Sequence, residues 1–68
     1  MDNLLEFKLI DKLSQRYNIH ETHSNVYVGY LTKYHNQFVY YPSHTSLTAR
    51  MLEEIAEKIK ELDYSESN

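Results

Sequence analysis

Four histidines are the residues of this chain best suited to chemistry, because imidazole binds metal ions and exchanges protons near neutral pH. His20 and His23 are three positions apart, whereas the zinc-protease motif places its two histidines four apart on one helix face. The chain also has no cysteine that would complete a zinc site. We therefore predict no metal site. A His-based metal-binding protein, in which His20 and His23 join His35 or His44, is kept as an alternative.

No group of residues has the spacing of a catalytic centre. Gly29 is the sole glycine, so no glycine-rich loop can hold a phosphate, and no serine has the flanking glycines of a nucleophile elbow. His44 lies among Ser43, Thr45 and Ser46, but hydroxyls ahead of a helix are far more often caps than nucleophiles. We therefore predict no catalytic residue, no cofactor and no enzymatic activity.

Tyrosine is the most unusual component, with 7 copies in 68 residues. Its side chain combines a large apolar area with a hydroxyl group and is enriched at binding hot spots. Residues 22–49 contain Lys33 as their only firmly charged side chain, and depletion of charge is typical of an interface centre. The alternative is that these tyrosines pack at the margin of a small core. We predict a partner-binding surface formed by Tyr27, Tyr30, Lys33, Tyr34, Tyr40 and Tyr41.

Acidic residues outnumber basic ones towards the end of the chain, from Met51 onward. Such a row can imitate a phosphate backbone and enter a basic groove on another protein, although an ordinary solvated helix face is the simpler interpretation. We predict that Glu53, Glu57 and Glu61 form a second contact with the protein partner.

A single-stranded nucleic-acid binder is the main alternative function, because bases stack on exposed aromatic rings. Tyr27, Tyr30 and Phe38 would stack the bases in this alternative. Lys33 and the row Lys8, Lys12 and Arg16 would contact phosphates. The net charge of -3 and the pI near 5.7 argue against it, since such binders need a basic surplus.

The first element that positions these side chains is predicted as a helix over residues 4–17. Its apolar residues recur at helical spacing, and Asn3 with Glu6 forms a capping-box arrangement at its start. Residues 18–25 are polar and predict a loop.

Two strands and a second helix complete the predicted fold. Residues 26–32 and 37–41 are rich in Val, Tyr and Phe, which favours a hairpin. A two-residue turn would place Tyr30 beside Tyr41, and a three-residue turn would place it beside Tyr40. Residues 47–62 show one apolar stripe, which predicts a helix capped by Thr45 or Ser46.

The predicted fold class is α+β with the order helix, β-hairpin, helix (αββα), and both helices lie on one face of the antiparallel hairpin. Residues 1–63 form one compact domain, and residues 64–68 form a flexible acidic tail. Because an isolated hairpin is marginal in water, we expect that two copies associate edge to edge as a homodimer. The absence of cysteine favours a reducing cytoplasm as the location of the protein. No apolar run is long enough to cross a membrane, so we expect no membrane partner.

The chain is short, acidic, free of cysteine and rich in Tyr and Asn, and it has no cofactor-binding motif. In size and composition it resembles small accessory proteins of phages and mobile elements, including anti-CRISPR inhibitors. The resemblance implies a non-catalytic protein that binds and blocks a larger host protein.

Overall fold

The computed structural model describes residues 3–66, which form one antiparallel β-sheet followed by one α-helix. The elements are β1 (Leu5–Asp11), β2 (Arg16–Glu21), β3 (Tyr27–Tyr34), β4 (Gln37–Pro42) and α1 (Ala49–Glu66). The strands lie side by side in chain order, so the sheet is a meander with β1 and β4 at its edges. The fold class is α+β with the order ββββα.

The predicted αββα order is therefore wrong, because residues 4–17 contain β1, a turn and the start of β2, and β2 continues into the predicted loop over residues 18–25. Leu5 and Phe7 face the core whereas Glu6 and Lys8 are exposed, which is the alternation of a strand with period two. The separation between Leu5 and Leu9 fits both a helix and a strand, so it did not distinguish them.

The connection between β1 and β2 is a turn that local polar contacts hold. The Asp11 carboxylate accepts a hydrogen bond from the Leu13 amide at 3.0 Å, and Gln15 has a φ of 53°. Hydrogen bonds from the Ser14 side chain and the Leu13 amide lower the pKa of Asp11. These contacts stabilise a turn. β1 therefore ends at Asp11, within the segment that was predicted to be helical.

The predicted hairpin is confirmed as β3 and β4. His35 and Asn36 form its two-residue turn with φ values of 52° and 69°, the left-handed conformations that such turns need. The turn sets Tyr30 directly opposite Tyr41.

A β-bulge in β3 changes which side chains face the core. Ile19 pairs with Gly29 and His20 pairs with Tyr27, so Val28 is an additional residue on this strand. Simple alternation through β3 predicts that Val28 shares a face with Tyr30, and this is wrong, because Val28 is fully buried in the core.

Gly29 follows the bulge at a place where no side chain fits. Its φ is 134°, a conformation that favours glycine, and a Cβ there would lie 2.5 Å from the Tyr41 carbonyl oxygen. The Tyr40 ring also covers this position, since its Cε1 atom would lie 2.8 Å from the added Cβ. Glycine therefore lets β3 and β4 approach each other here.

The helix covers one face of the sheet. Met51 and Ile55 are buried against a core that the sheet supplies with Leu5, Ile19, Val28, Leu31 and Phe38. No helix within residues 3–66 has the length and apolar character of a membrane span.

The helix begins at Ala49, later than predicted. Thr48 caps it, because its hydroxyl oxygen accepts a hydrogen bond from the Met51 amide at 3.2 Å. Neither Thr45 nor Ser46 is the cap. The Thr45 hydroxyl instead donates to the Tyr27 carbonyl at 3.0 Å and fixes the connection to the sheet.

The helix extends through Glu66, past the predicted end at residue 62. Residues 67 and 68 of the predicted tail lie outside the described residues, and the tail's flexibility stays a prediction.

Two carboxylates fasten the helix to the two edge strands. The Glu54 carboxylate accepts hydrogen bonds from the Leu4 and Leu5 amides at 2.8 and 3.0 Å. Near the other end of the helix, the Asp63 carboxylate accepts one from the Phe38 amide at 3.0 Å. The helix thus connects the start of β1 to the start of β4.

Replacement of Gly29 by alanine should destabilise the fold by at least about 2 kcal/mol. The added methyl group would clash with the Tyr41 carbonyl, and a φ of 134° is unfavourable for alanine. Chemical denaturation monitored by circular dichroism measures this. Gln37→Ala, at an exposed position of β4, is the control, and an equal loss in both variants would contradict the close approach.

Replacement of Glu54 by alanine should cost about 1 to 3 kcal/mol, because it leaves two partly buried amides without their acceptor. Urea denaturation of this variant is compared with that of Glu53→Ala, which alters an exposed neighbour and should change stability by less than about 0.5 kcal/mol. Similar midpoints for the two variants would show that the contact does not hold the helix.

Candidate functional site

The face of the sheet opposite α1 carries no covering element within residues 3–66. Strand alternation and cross-strand pairing place a mixed aromatic and polar set on this side. We call this surface the open face. Its residues are Glu6, Lys8, Arg16, Asn18, His20, Tyr27, Tyr30, Thr32, Val39 and Tyr41.

Three side chains at the centre of the open face form a stack. The Tyr30 and Tyr41 rings lie 5.0 Å apart between centroids, with 17° between their planes. The Arg16 guanidinium carbon lies 3.8 Å from the centroid of the Tyr30 ring, and Arg16 Nε donates to Asn18 Oδ1 at 3.4 Å. We call Arg16, Tyr30 and Tyr41 the stacked ladder. Such cross-strand contacts hold large side chains in one arrangement before any partner arrives.

A second aromatic pair extends the open face beside the ladder. The His20 and Tyr27 rings are 5.5 Å apart at 58°. Tyr27 is 37% exposed, and its carbonyl accepts hydrogen bonds from the Ser43 and Thr45 hydroxyls at 3.3 and 3.0 Å. The backbone beneath Tyr27 is thereby fixed.

Tyr34 lies apart from the ladder, at the end of β3. Its ring is 57% exposed and contacts the His35 ring edge-on, with 4.1 Å between centroids. It adds an exposed aromatic group at the hairpin turn.

Two of the predicted hairpin contacts lie on the helix side of the sheet. The Tyr40 hydroxyl donates a hydrogen bond to the Val28 carbonyl at 2.6 Å, and burial raises the pKa of Tyr40 above its usual 10.0. Lys33 pairs across the strands with the buried Phe38 and so belongs to the same side. The structure therefore separates Tyr40 and Lys33 from Tyr27, Tyr30 and Tyr41.

The predicted acidic contact also lies apart from the open face. Glu53, Glu57 and Glu61 are exposed on α1, on the opposite side of the sheet from the stacked ladder. One flat partner surface cannot contact both sets.

The basic row predicted on the first helix does not exist as a row. Lys8 and Arg16 lie on the open face, and Lys12 lies in the turn between β1 and β2. Phe38 is only 5% exposed and cannot stack a base.

The histidines are dispersed over the molecule. His20 lies on the open face, His23 and His44 lie in connections, and His35 lies in the hairpin turn. Among residues 3–66 no three side chains of His, Cys, Asp or Glu are grouped to hold a metal ion.

Seven of the ten residues of the open face are absent from the predicted site, and the three of them on β2 are Arg16, Asn18 and His20. They were assigned to the end of a helix and to a loop. Their alternation with the apolar Tyr17 and Ile19 is the period-two signal that places them together on one face of a strand.

The two neighbouring tyrosines of β4 should respond differently to loss of their hydroxyls. Tyr40→Phe removes the hydrogen bond to Val28 and should cost about 1 kcal/mol, whereas Tyr41→Phe keeps the ring stack and should be nearly neutral.

The pH dependence of stability also distinguishes the Tyr40→Phe variant from the Tyr41→Phe variant. Above pH 10.0 the unfolded chain ionises Tyr40 more readily than the folded chain, so stability falls as pH rises. Tyr40→Phe should lose less stability over this range than Tyr41→Phe. Denaturant titrations between neutral and alkaline pH measure both effects, and identical profiles would contradict the burial of Tyr40.

Comparison with known proteins identifies no relative of this chain. The chain matches no protein-family model, and the searches returned no significant match to a curated protein or to a solved structure.

Proposed function

We propose that the chain is a small non-catalytic protein-binding module that contacts a larger protein through its open face. The stacked ladder of Arg16, Tyr30 and Tyr41 is the observation that carries this proposal. Tyrosine and arginine are the residue types most enriched at binding hot spots. Since the ladder is already ordered in the free protein, binding costs little further side-chain entropy.

The chemistry of the ladder favours a protein partner of a particular kind. Ring edges and hydroxyl groups suit a flat surface with an apolar centre and backbone polar groups around it. Arg16 and Lys8 add two cationic groups to the open face, and the proposed partner surface therefore carries carboxylates at its rim.

The arrangement of the rings argues against base stacking as the main function. The Tyr30 ring is covered by Arg16 on one side and Tyr41 on the other, so a base cannot reach either side without breaking the ladder. Lys8 is within 3.7 Å of the Glu6 carboxylate, which reduces its attraction for phosphate.

A single-stranded nucleic-acid binder is kept as the second candidate. The observation in its favour is that Lys8 and Arg16 share a face with Tyr27 and Tyr41. Binding of this kind would weaken steeply with salt, whereas an aromatic protein interface depends on salt much less.

The finer parts of the proposal rest on composition. A role as a phage-encoded inhibitor of a host protein is supported by the resemblance in size and build alone. A cytoplasmic location is supported by the absence of cysteine. Glu53, Glu57 and Glu61 enter the proposal only as a separate contact, because they lie on the other side of the molecule.

Truncation of the ladder should weaken partner binding without unfolding the protein. The immobilised protein is incubated with a lysate of its source cells, with and without nuclease treatment, and the retained proteins and nucleic acid are quantified. The double variant Arg16→Ala/Tyr41→Ala should retain the partner with an affinity at least about 30-fold lower, the loss expected for about 2 kcal/mol of hot-spot energy.

Tyr64→Ala is the matched control, because Tyr64 is 75% exposed on α1, away from the open face. It should bind like the original protein, and circular dichroism should confirm that both variants are folded. Retention that is equal in both variants would contradict the proposed surface. Retention of nucleic acid alone, lost on adding salt, would favour the second candidate.

A further inference from the structure

The two edges of the sheet differ in how their backbone groups are used. An exposed edge strand offers unpaired amides and carbonyls to another strand, and proteins commonly block such edges. On β4 the Phe38 amide donates to Asp63, and Pro42 has no amide hydrogen to donate. Two positions on the edge at β4, Phe38 and Pro42, therefore have no amide available to a further strand.

The edge at β1 is open along its centre. The Thr22 amide donates to the Leu4 carbonyl, so Leu4 and Thr22 occupy the position of a hydrogen-bonded pair, although the Leu4 amide itself donates to Glu54. Because such pairs alternate along antiparallel strands, the amide and carbonyl of Phe7 point away from β2, and so does the amide of Leu9. Near the start of β1, the Leu5 amide already donates a hydrogen bond to the Glu54 carboxylate.

The sequence of β1 is complementary to itself when it is reversed about Phe7. In that antiparallel register, Glu6 lies opposite Lys8 of a second copy, and Lys8 lies opposite its Glu6. Both charges are on the open face and more than half exposed, at 54% and 59%. Opposite charges directly across two strands stabilise their pairing.

The other face of β1 is apolar in the same register. Phe7 would meet Phe7 of the second copy, and Leu9 would meet Leu5. Leu9 is 45% exposed in the single chain, so the pairing would cover apolar surface. A groove beside Phe7, between β1 and α1 and lined also by Glu57 and Lys58, leaves room for the incoming ring.

We propose that β1 is a homodimerisation edge, on which β1 of a second copy pairs antiparallel with its twofold axis at Phe7. Each chain contributes its four strands to one continuous sheet. Both helices lie on one side and both open faces on the other, because paired residues in one sheet share a face. The homodimer predicted from the sequence pairs the hairpins of two copies edge to edge. Here each chain already has four strands, and the pairing uses β1 instead of the hairpin edge.

This dimer can be tested separately from the proposed function. It uses the backbone of β1 with the side chains of Glu6 and Lys8, whereas the stacked ladder that carries the partner contact lies on β2, β3 and β4. Loss of dimerisation would leave the stacked ladder intact, and loss of partner binding would leave β1 intact.

Sedimentation velocity of the full chain, from about 1 μM to about 1 mM, tests the dimer. The original protein should approach twice its 8.2 kDa mass at the upper end. Glu6→Lys and Lys8→Glu each place like charges opposite one another, so each should raise the dimer dissociation constant at least about tenfold. An equimolar mixture of the two variants should recover a dimer, because each supplies the charges that the other needs.

Lys12→Glu is the control for the net charge of Lys8→Glu, since it makes the same charge change in the exposed turn after β1. It should dimerise like the original protein. A monomer at every concentration would overturn the proposal. A dimer that both single variants retain unchanged, or a mixture that stays monomeric, would overturn the register at Phe7.

Discussion

One helix can cover only one face of a four-stranded sheet, and the rest of this molecule depends on that limit. The buried side chains of β1 to β4 all turn towards α1, where Met51 and Ile55 complete the core. The opposite side chains have to be accommodated without a covering element from residues 3–66. They contact one another instead, and the result is the stack of Arg16, Tyr30 and Tyr41. The surface proposed for binding is thus a consequence of how few elements so short a chain can supply.

The helix is positioned by carboxylates as much as by apolar contacts. Glu54 and Asp63 accept hydrogen bonds from backbone amides at the two edges of the sheet, so α1 is fixed relative to both. These contacts have unequal consequences for association. On β4 the Asp63 contact with the Phe38 amide and the presence of Pro42 remove two edge amides, whereas on β1 Glu54 occupies only the Leu5 amide and leaves the amide of Phe7 pointing outward.

The second half of the fold could be predicted from sequence, and the first half could not. Aromatic and β-branched residues identify β3 and β4, His35 and Asn36 identify the turn, and a single apolar stripe identifies α1. Residues 4–17 carry apolar positions that satisfy helical and strand periods together, and only pairing with neighbouring strands decides between them. The predicted site lacks Arg16 and His20 for the same reason. These residues lie beside the tyrosines only because residues 16–21 form β2. The bulge at Val28 depends on tertiary packing, and it has no signal in the sequence beyond Gly29.

The central claim is that the sheet has one covered and one open face, with Tyr40 and Tyr41 on opposite sides. Nuclear magnetic resonance of the free protein with a soluble paramagnetic agent tests this directly. The ring signals of Tyr41 should broaden strongly while those of Tyr40 are protected, and the Arg16 side-chain protons should shift upfield above the Tyr30 ring. Equal broadening of both tyrosines, or helical contacts over residues 4–17, would contradict the account.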